Sequence, residues 1–95
     1  MTSYDAVIKR FLRKISDYNL LSLPDAQRHE DIIDFLEAAC GYFERLCLKN
    51  LTLRNNEQQY FEENLSQHEI NILSELMVQE LLQRYSNRYN DDGRL

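Results

Sequence analysis

The chain has 95 residues, 43% of them hydrophobic and 28% charged, with a net charge of −5 and only two glycines and one proline. That length supports one domain with a single core, and so few helix breakers favour long helices over a turn-rich β fold. The acidic balance argues against a general nucleic-acid binder, no apolar run approaches the roughly 20 residues of a membrane span, and the N-terminus has no signal-peptide core, so a soluble intracellular protein is expected.

In chain order, Ser3 to Ile15 reads as the first helix. Val7, Ile8, Phe11, Leu12 and Ile15 form an amphipathic stripe. Thr2 or Ser3 can cap it, and Asp5 suits the first turn. Lys9, Arg10, Arg13 and Lys14 lie away from the stripe as a basic face, read either as solvated or as facing a partner. Ser16-Asp17-Tyr18-Asn19 reads as a turn, because these short polar side chains compete for backbone hydrogen bonds. Leu20, Leu21 and Leu23 are expected to pin the connection to the core.

A second helix is expected from about Pro24 to Leu48, with Ser22 or Leu23 as cap and Asp25 in the first turn. Ile32, Leu36, Ala39, Phe43, Leu46 and Cys47 follow helical spacing, and Ile33, Phe35 and Cys40 widen the face. The small run Ala38-Ala39-Cys40-Gly41 predicts close approach of another backbone, with the third helix the expected neighbour; such packing would account for Gly41, which costs about 1 kcal/mol relative to alanine in a helix interior.

Residues 50–65 break the helical period. Leu51 and Leu53 alternate with Thr52 and Arg54, Asn55-Asn56 is a turn candidate, and Gln59-Tyr60-Phe61-Glu62 reads as a returning strand, which together predict a short β-hairpin. A lone hairpin is marginal in water, so it must lie on the helices or pair with another copy.

Ser66-Gln67-His68-Glu69 is a capping box and opens the third helix, read as ending near Ser86. The line Leu73–Met77–Leu81 marks its core face, with Ile72–Leu76 beside it and Val78 and Leu82 widening it. An apolar surface this broad predicts contact on two sides, making this helix the spine of the fold. Residues 87–95 have neither period nor apolar face and read as a tail that is disordered alone. The expected fold is therefore mainly α: a helical domain over 1–86, built as a small bundle of three main helices with a short β-hairpin between the last two, and a flexible C-terminal tail over 87–95.

Charge is banded along the chain. Residues 1–14 sum to +3, residues 15–44 to −6, and residues 62–80 hold five acids and no base. Solvated faces explain such bands, and so does docking of one copy's basic helix on another's acidic helix. His29 and His68 have no partner at metal spacing. Cys40 and Cys47, seven apart on one helix, are about 10 Å apart along its axis and are expected to be reduced thiols. The carboxylates Glu30, Asp31, Asp34 and Glu37 are accounted for by the preference of acids for helix N-termini. No nucleophile elbow, glycine-rich phosphate loop or calcium loop is present. The reading is of a protein that is not an enzyme, with no metal or cofactor. A DNA-reading helix is also disfavoured, since the third helix is apolar and acidic, with Arg84 and Arg88 only at its end.

Three blocks carry a resemblance: Phe11-Leu12-Arg13-Lys14-Ile15-Ser16-Asp17-Tyr18, then Ile32-Ile33-Asp34-Phe35-Leu36-Glu37-Ala38-Ala39, and then the third-helix block 69–82. In the last, Glu69, Ile72, Leu73, Met77, Val78 and Leu82 fit the pattern E-x-x-I-L-x-x-x-M-V-x-x-x-L. With the irregular 50–65 segment between, residues 7–86 resemble the small helical head–tail connector (adaptor) proteins of tailed bacteriophages. The resemblance implies a structural subunit of the virion neck, assembled in the host cytoplasm. Identical copies, commonly twelve, would form a ring under the portal protein, extend the DNA channel and dock the tail or a head-closing protein. DNA would pass without specific binding, helped by like-charge repulsion from acidic residues. It also implies a C-terminal tail that orders against the portal, placing Tyr85, Arg88, Tyr89, Arg94 and Leu95 there. The basic helix and the hairpin supply the candidates for contacts between copies: Lys9, Arg10, Arg13, Arg54, Tyr60 and Glu62. The alternative is a small cytosolic helical regulator that binds one protein partner.

Overall fold

The computed structural model describes residues 1–23, 26–47 and 49–93, with side chains at all of these except 47 and 87–93. The elements are β1 (Thr2–Ser3), α1 (Tyr4–Asp17), α2 (His29–Cys47), β2 (Arg54–Asn55), β3 (Tyr60–Phe61) and α3 (Gln67–Gly93). The fold is mainly helical, with three helices and a small sheet, as the sequence predicts.

Both ends of α1 are set by local chemistry. The Ser3 side chain accepts a hydrogen bond from the Ala6 N–H at 3.2 Å, which satisfies one of the free donors of the first turn. At the other end Asn19 takes a left-handed backbone (φ 60°). The Leu20 N–H then donates to the Ile15 carbonyl and the Asn19 N–H to the Ser16 carbonyl. This pair of bonds is a Schellman motif, and asparagine is one of the few residues that tolerates its left-handed position.

α2 starts at His29, five residues later than the sequence reading. The chain before it makes tight three-apart turns instead: the Leu23 N–H donates to Leu20 and the Ala26 N–H to Leu23, while the first helical bond runs from Ile32 to the Arg28 carbonyl. Ala26 is fully buried, so this segment follows the core surface where a straight helix would leave it. Ser22 and Leu23 therefore do not cap α2, and Pro24 and Asp25 lie outside the described residues. The small run is corrected too. Ala39 and Cys40 are buried, but Ala38 and Gly41 point outward, and a Cβ built on Gly41 meets nothing within 4 Å. Close packing inside the protomer is not what Gly41 serves. Leu46 likewise leaves the predicted core face and is 68% exposed, because the inward line of α2 runs through Ile32, Phe35, Leu36, Ala39 and Phe43.

The hairpin is present but its strands are only two residues long. Arg54 pairs with Phe61 and Asn55 with Tyr60. Residues 50–53 belong to no strand: Asn50 Oδ1 accepts from the Thr52 N–H, and Leu51 is buried while Leu53 is exposed. Asn55 lies in the strand, and its Oδ1 accepts from the Gln58 N–H at 2.9 Å to shape the turn. The chain's own N-terminus extends the hairpin. β1 pairs antiparallel with β3, giving the order β1-β3-β2, a third strand that the sequence reading missed. Thr2 locks it from the side, its Oγ1 donating to the Glu63 carbonyl and accepting from the Leu65 N–H. Phe61 is fully buried, its ring 4.7 Å from that of Tyr4.

α3 packs against both α1 and α2, as its broad apolar face predicts. Leu73, Met77 and Leu81 are completely buried, with Ile70 and Val78 beside them and Ile72 and Leu76 partly covered. The capping box closes as predicted: Ser66 N–H to Glu69 Oε1 at 2.8 Å, and Glu69 N–H to Ser66 Oγ at 3.1 Å. The helical backbone continues to Gly93, past the predicted end near Ser86. Once nucleated, a helix adds one bond per residue, and no glycine or proline interrupts it before Gly93.

Two substitutions test this architecture by urea unfolding. Leu73→Ala, at the buried centre of α3, is expected to cost about 2–5 kcal/mol. Gly41→Ala is expected to stabilise the monomer by about 1 kcal/mol, because the helix gains propensity and the new methyl meets no neighbour. A destabilised Gly41→Ala monomer would show that something within the protomer does press on that position.

Candidate functional site

Among the described residues no group of three or more His, Cys, Asp or Glu side chains could hold a metal. His29 faces the Gln59 amide at 3.5 Å. Cys40 is a buried free thiol, pushed up to about 12 by desolvation; Arg54 partly opposes this shift, while Glu37 and Glu44 add to it. It is therefore held protonated, which removes it as a nucleophile. The Tyr4 hydroxyl is also raised by burial and donates to Asn56 Oδ1.

The functional candidates are surfaces. On the outer side of α1, Lys9, Arg10 and Arg13 line a shallow open depression with Ala6. Lys9 is bridged to Asp5 at 3.1 Å, one turn away, and Arg10 donates to Gln67 Oε1 of α3 at 2.7 Å. Arg13 is exposed and has no partner among the described residues. Lys14 instead turns toward α3 and binds Glu75 at 3.0 Å. The predicted basic face is thus three residues wide, one of them unengaged.

The hairpin candidates separate. Arg54 is turned inward, donating to Glu37 at 2.9 Å and to the Leu51 carbonyl at 2.8 Å, so it joins β2 to α2. Tyr60 is half-buried in the sheet. Glu62 has an exposed side chain, while its N–H donates to the Leu53 carbonyl. Within one copy, Glu62 is the hairpin candidate most available to a neighbour.

At the other end, Asp31 lies between two guanidinium groups, 2.9 Å from Arg84 and 3.3 Å from Arg28, and Arg84 also stands 4.6 Å over the Phe35 ring. This cluster ties the start of α2 to the late part of α3. Tyr85 follows immediately and is 41% exposed. Arg88 and Tyr89 lie on the continuing helix with their side chains outside the described set, and Arg94 and Leu95 are outside the described residues.

One surface was not singled out from the sequence. Tyr42 and Leu46 stand exposed on the outer side of α2, with the Arg45 guanidinium 6.0 Å from the Tyr42 ring centre. Ala38, Gly41, Tyr42 and Arg45 line a shallow depression with Glu80 of α3. The available signal was Tyr42, an aromatic off the inward line Leu36–Ala39–Phe43.

Two titrations test the electrostatics. Lys49, bonded to Glu69 at 2.8 Å, and the Ser66 N–H hold the Glu69 carboxyl below the usual carboxylate range. The stability this confers is present above the ordinary glutamate pKa and is lost as pH falls through the lowered value. Glu69→Gln is expected to flatten that acid limb of a stability–pH curve. For Cys40 the shift is upward, so its contribution is present below the ordinary thiol pKa and is lost as pH rises toward about 12. In a Cys47→Ser chain at pH 8, a thiol reagent should label Cys40 only after denaturant is added; rapid native labelling would show that the thiol is accessible.

No family model matches the sequence, and no match is found among curated proteins or solved structures.

Proposed function

We propose that the protein is a structural connector subunit that assembles with copies of itself into a ring and binds a portal protein at one end and a tail or head-closing protein at the other. The observation that carries this reading is the placement of opposite charges on different helices. The basic groups Lys9, Arg10 and Arg13, the last of them unengaged, lie on the outer side of α1, while exposed Glu30 and Asp34 lie on α2. Both helices pack on α3, so the two charged surfaces lie on different elements of the bundle. Such surfaces suit a head-to-tail contact between copies, and head-to-tail contacts close into a ring when the rotation from one copy to the next is right. Exposed Glu62 on the hairpin adds to the acidic side.

The C-terminal end supplies the second contact in this reading. α3 continues nine residues beyond Arg84, the last α3 residue with an ion pair to another helix among the described residues. Tyr85 is already exposed there, and tyrosine and arginine are favoured interface anchors. Tyr85, Arg88, Tyr89, Arg94 and Leu95 are the proposed portal-contacting positions. Nothing in this role requires turnover: its energetics are those of assembly.

The test is a pull-down from the source lysate with the tagged full chain and with a truncation ending at Ser86, each read by mass spectrometry. Portal or tail proteins retained by the full chain and lost with the truncation are the expected result. Transcription or signalling proteins retained equally by both would replace the connector reading with that of a small regulatory module.

A further inference from the structure

α2 presents a face that nothing in the protomer covers. Asp34, Ala38, Gly41 and Arg45 are all exposed, and their spacing of four, three and four residues sets them on one line along the helix, within an arc of about 60°. Tyr42, 47% exposed, and Leu46 flank the line on one side. Neither Asp34 nor Arg45 has an ion pair among the described residues. The face thus combines exposed apolar groups with two opposite charges that form no ion pair among the described residues, the Arg45 guanidinium standing by the Tyr42 ring.

Its charges are complementary to themselves. Asp34 and Arg45 are eleven residues apart, about 16 Å along the axis. A two-fold axis crossing α2 between Ala39 and Cys40 places Asp34 of each copy opposite Arg45 of the other, and Ala38 opposite Gly41. Parallel in-register pairing would instead bring like charges together. The two ion pairs then flank a centre of minimal side chains, where helix axes can approach to about 8 Å, and Tyr42 and Leu46 cover the seam. Glu80 of α3, which lines the same depression, offers a second carboxylate near the Arg45 positions. Gly41 acquires a purpose in this arrangement, since its missing Cβ serves no contact within the protomer.

We propose that the chain self-associates as a two-fold dimer through antiparallel pairing of α2. This goes beyond the ring reading and does not depend on it: the contact joins a surface to itself, whereas a ring joins unlike surfaces, and because both use Asp34 the two contacts compete for this side of α2. A single helix face is smaller than the roughly 1,200 Å² of a standard interface, so the expected dissociation constant is on the order of 10–100 µM.

Sedimentation velocity on the full chain, at concentrations bracketing that range, decides the matter. Wild type is expected to pass from monomer to dimer. Asp34→Arg and Arg45→Asp alone should each raise the dissociation constant at least about tenfold by placing like charges opposite each other. An equimolar mixture of the two variants should recover the dimer, because each arginine then faces an aspartate, and the double variant Asp34→Arg/Arg45→Asp should recover it alone. Circular dichroism confirms that these surface substitutions leave the fold intact. A wild type that stays monomeric throughout, single variants that self-associate as tightly as wild type, or a mixture that fails to recover the dimer would each overturn the proposal.

Discussion

The broad apolar surface of α3 is the constraint on which the rest of the structure depends. Leu73, Met77 and Leu81 can be fully buried only if the helix is flanked on two sides, and α1 and α2 both pack against it. At about 1.5–3 kcal/mol for each large side chain removed from water, this one row outweighs any single polar contact in the molecule. α1 and α2 meet each other through the rings of Phe11 and Phe35, 6.1 Å apart, which completes the core above α3. Substitutions along this row therefore act on the whole fold.

The sheet and the charged clusters have a different task, which is to fix the ends. β1 carries the start of the chain onto β3, so that residues nearly sixty positions apart share a ladder and Tyr4 packs on Phe61. Lys49 and the capping box hold the start of α3 near the end of α2, and Arg84 with Asp31 holds the opposite ends of the same two helices. Arg54 and Glu37 fasten the hairpin to α2. These contacts are partly solvated and individually modest, but they set the register between elements that hydrophobic burial alone would leave free to slide. They also determine which charges remain for partners: Arg13, Asp34 and Arg45 are left on the surface, whereas Arg54 and Lys14 are used inside.

Much of this was legible wherever the controlling interaction is local. The capping box at Ser66–Glu69, the Ser3 cap, the turn through Asn19 and the stripe of α1 all depend on residues a few positions apart, and they form as read. The start of α2 was not legible, because the preceding leucines and Ala26 follow a core surface that only the packed helices create. β1 was hidden for a related reason: two residues carry no periodicity, and their strand exists only because β3 offers an edge. At Gly41 the composition suggested a close neighbour, but the rotation of α2 on α3 turns that position outward.

By itself the sequence determined three helices, the capping of α1 and α3, the hairpin, and the central place of α3, since each follows from spacing, propensity or short-range hydrogen bonding. Only the tertiary structure decided which face of α2 is covered, how the N-terminal strand joins the hairpin, and which charges are consumed within one copy. The physical reason is that helical periodicity specifies that a face must be buried, while the exact rotation of that face and the partners of long charged side chains depend on neighbours remote in the chain. The exposed line from Asp34 to Arg45 is the clearest result of that decision.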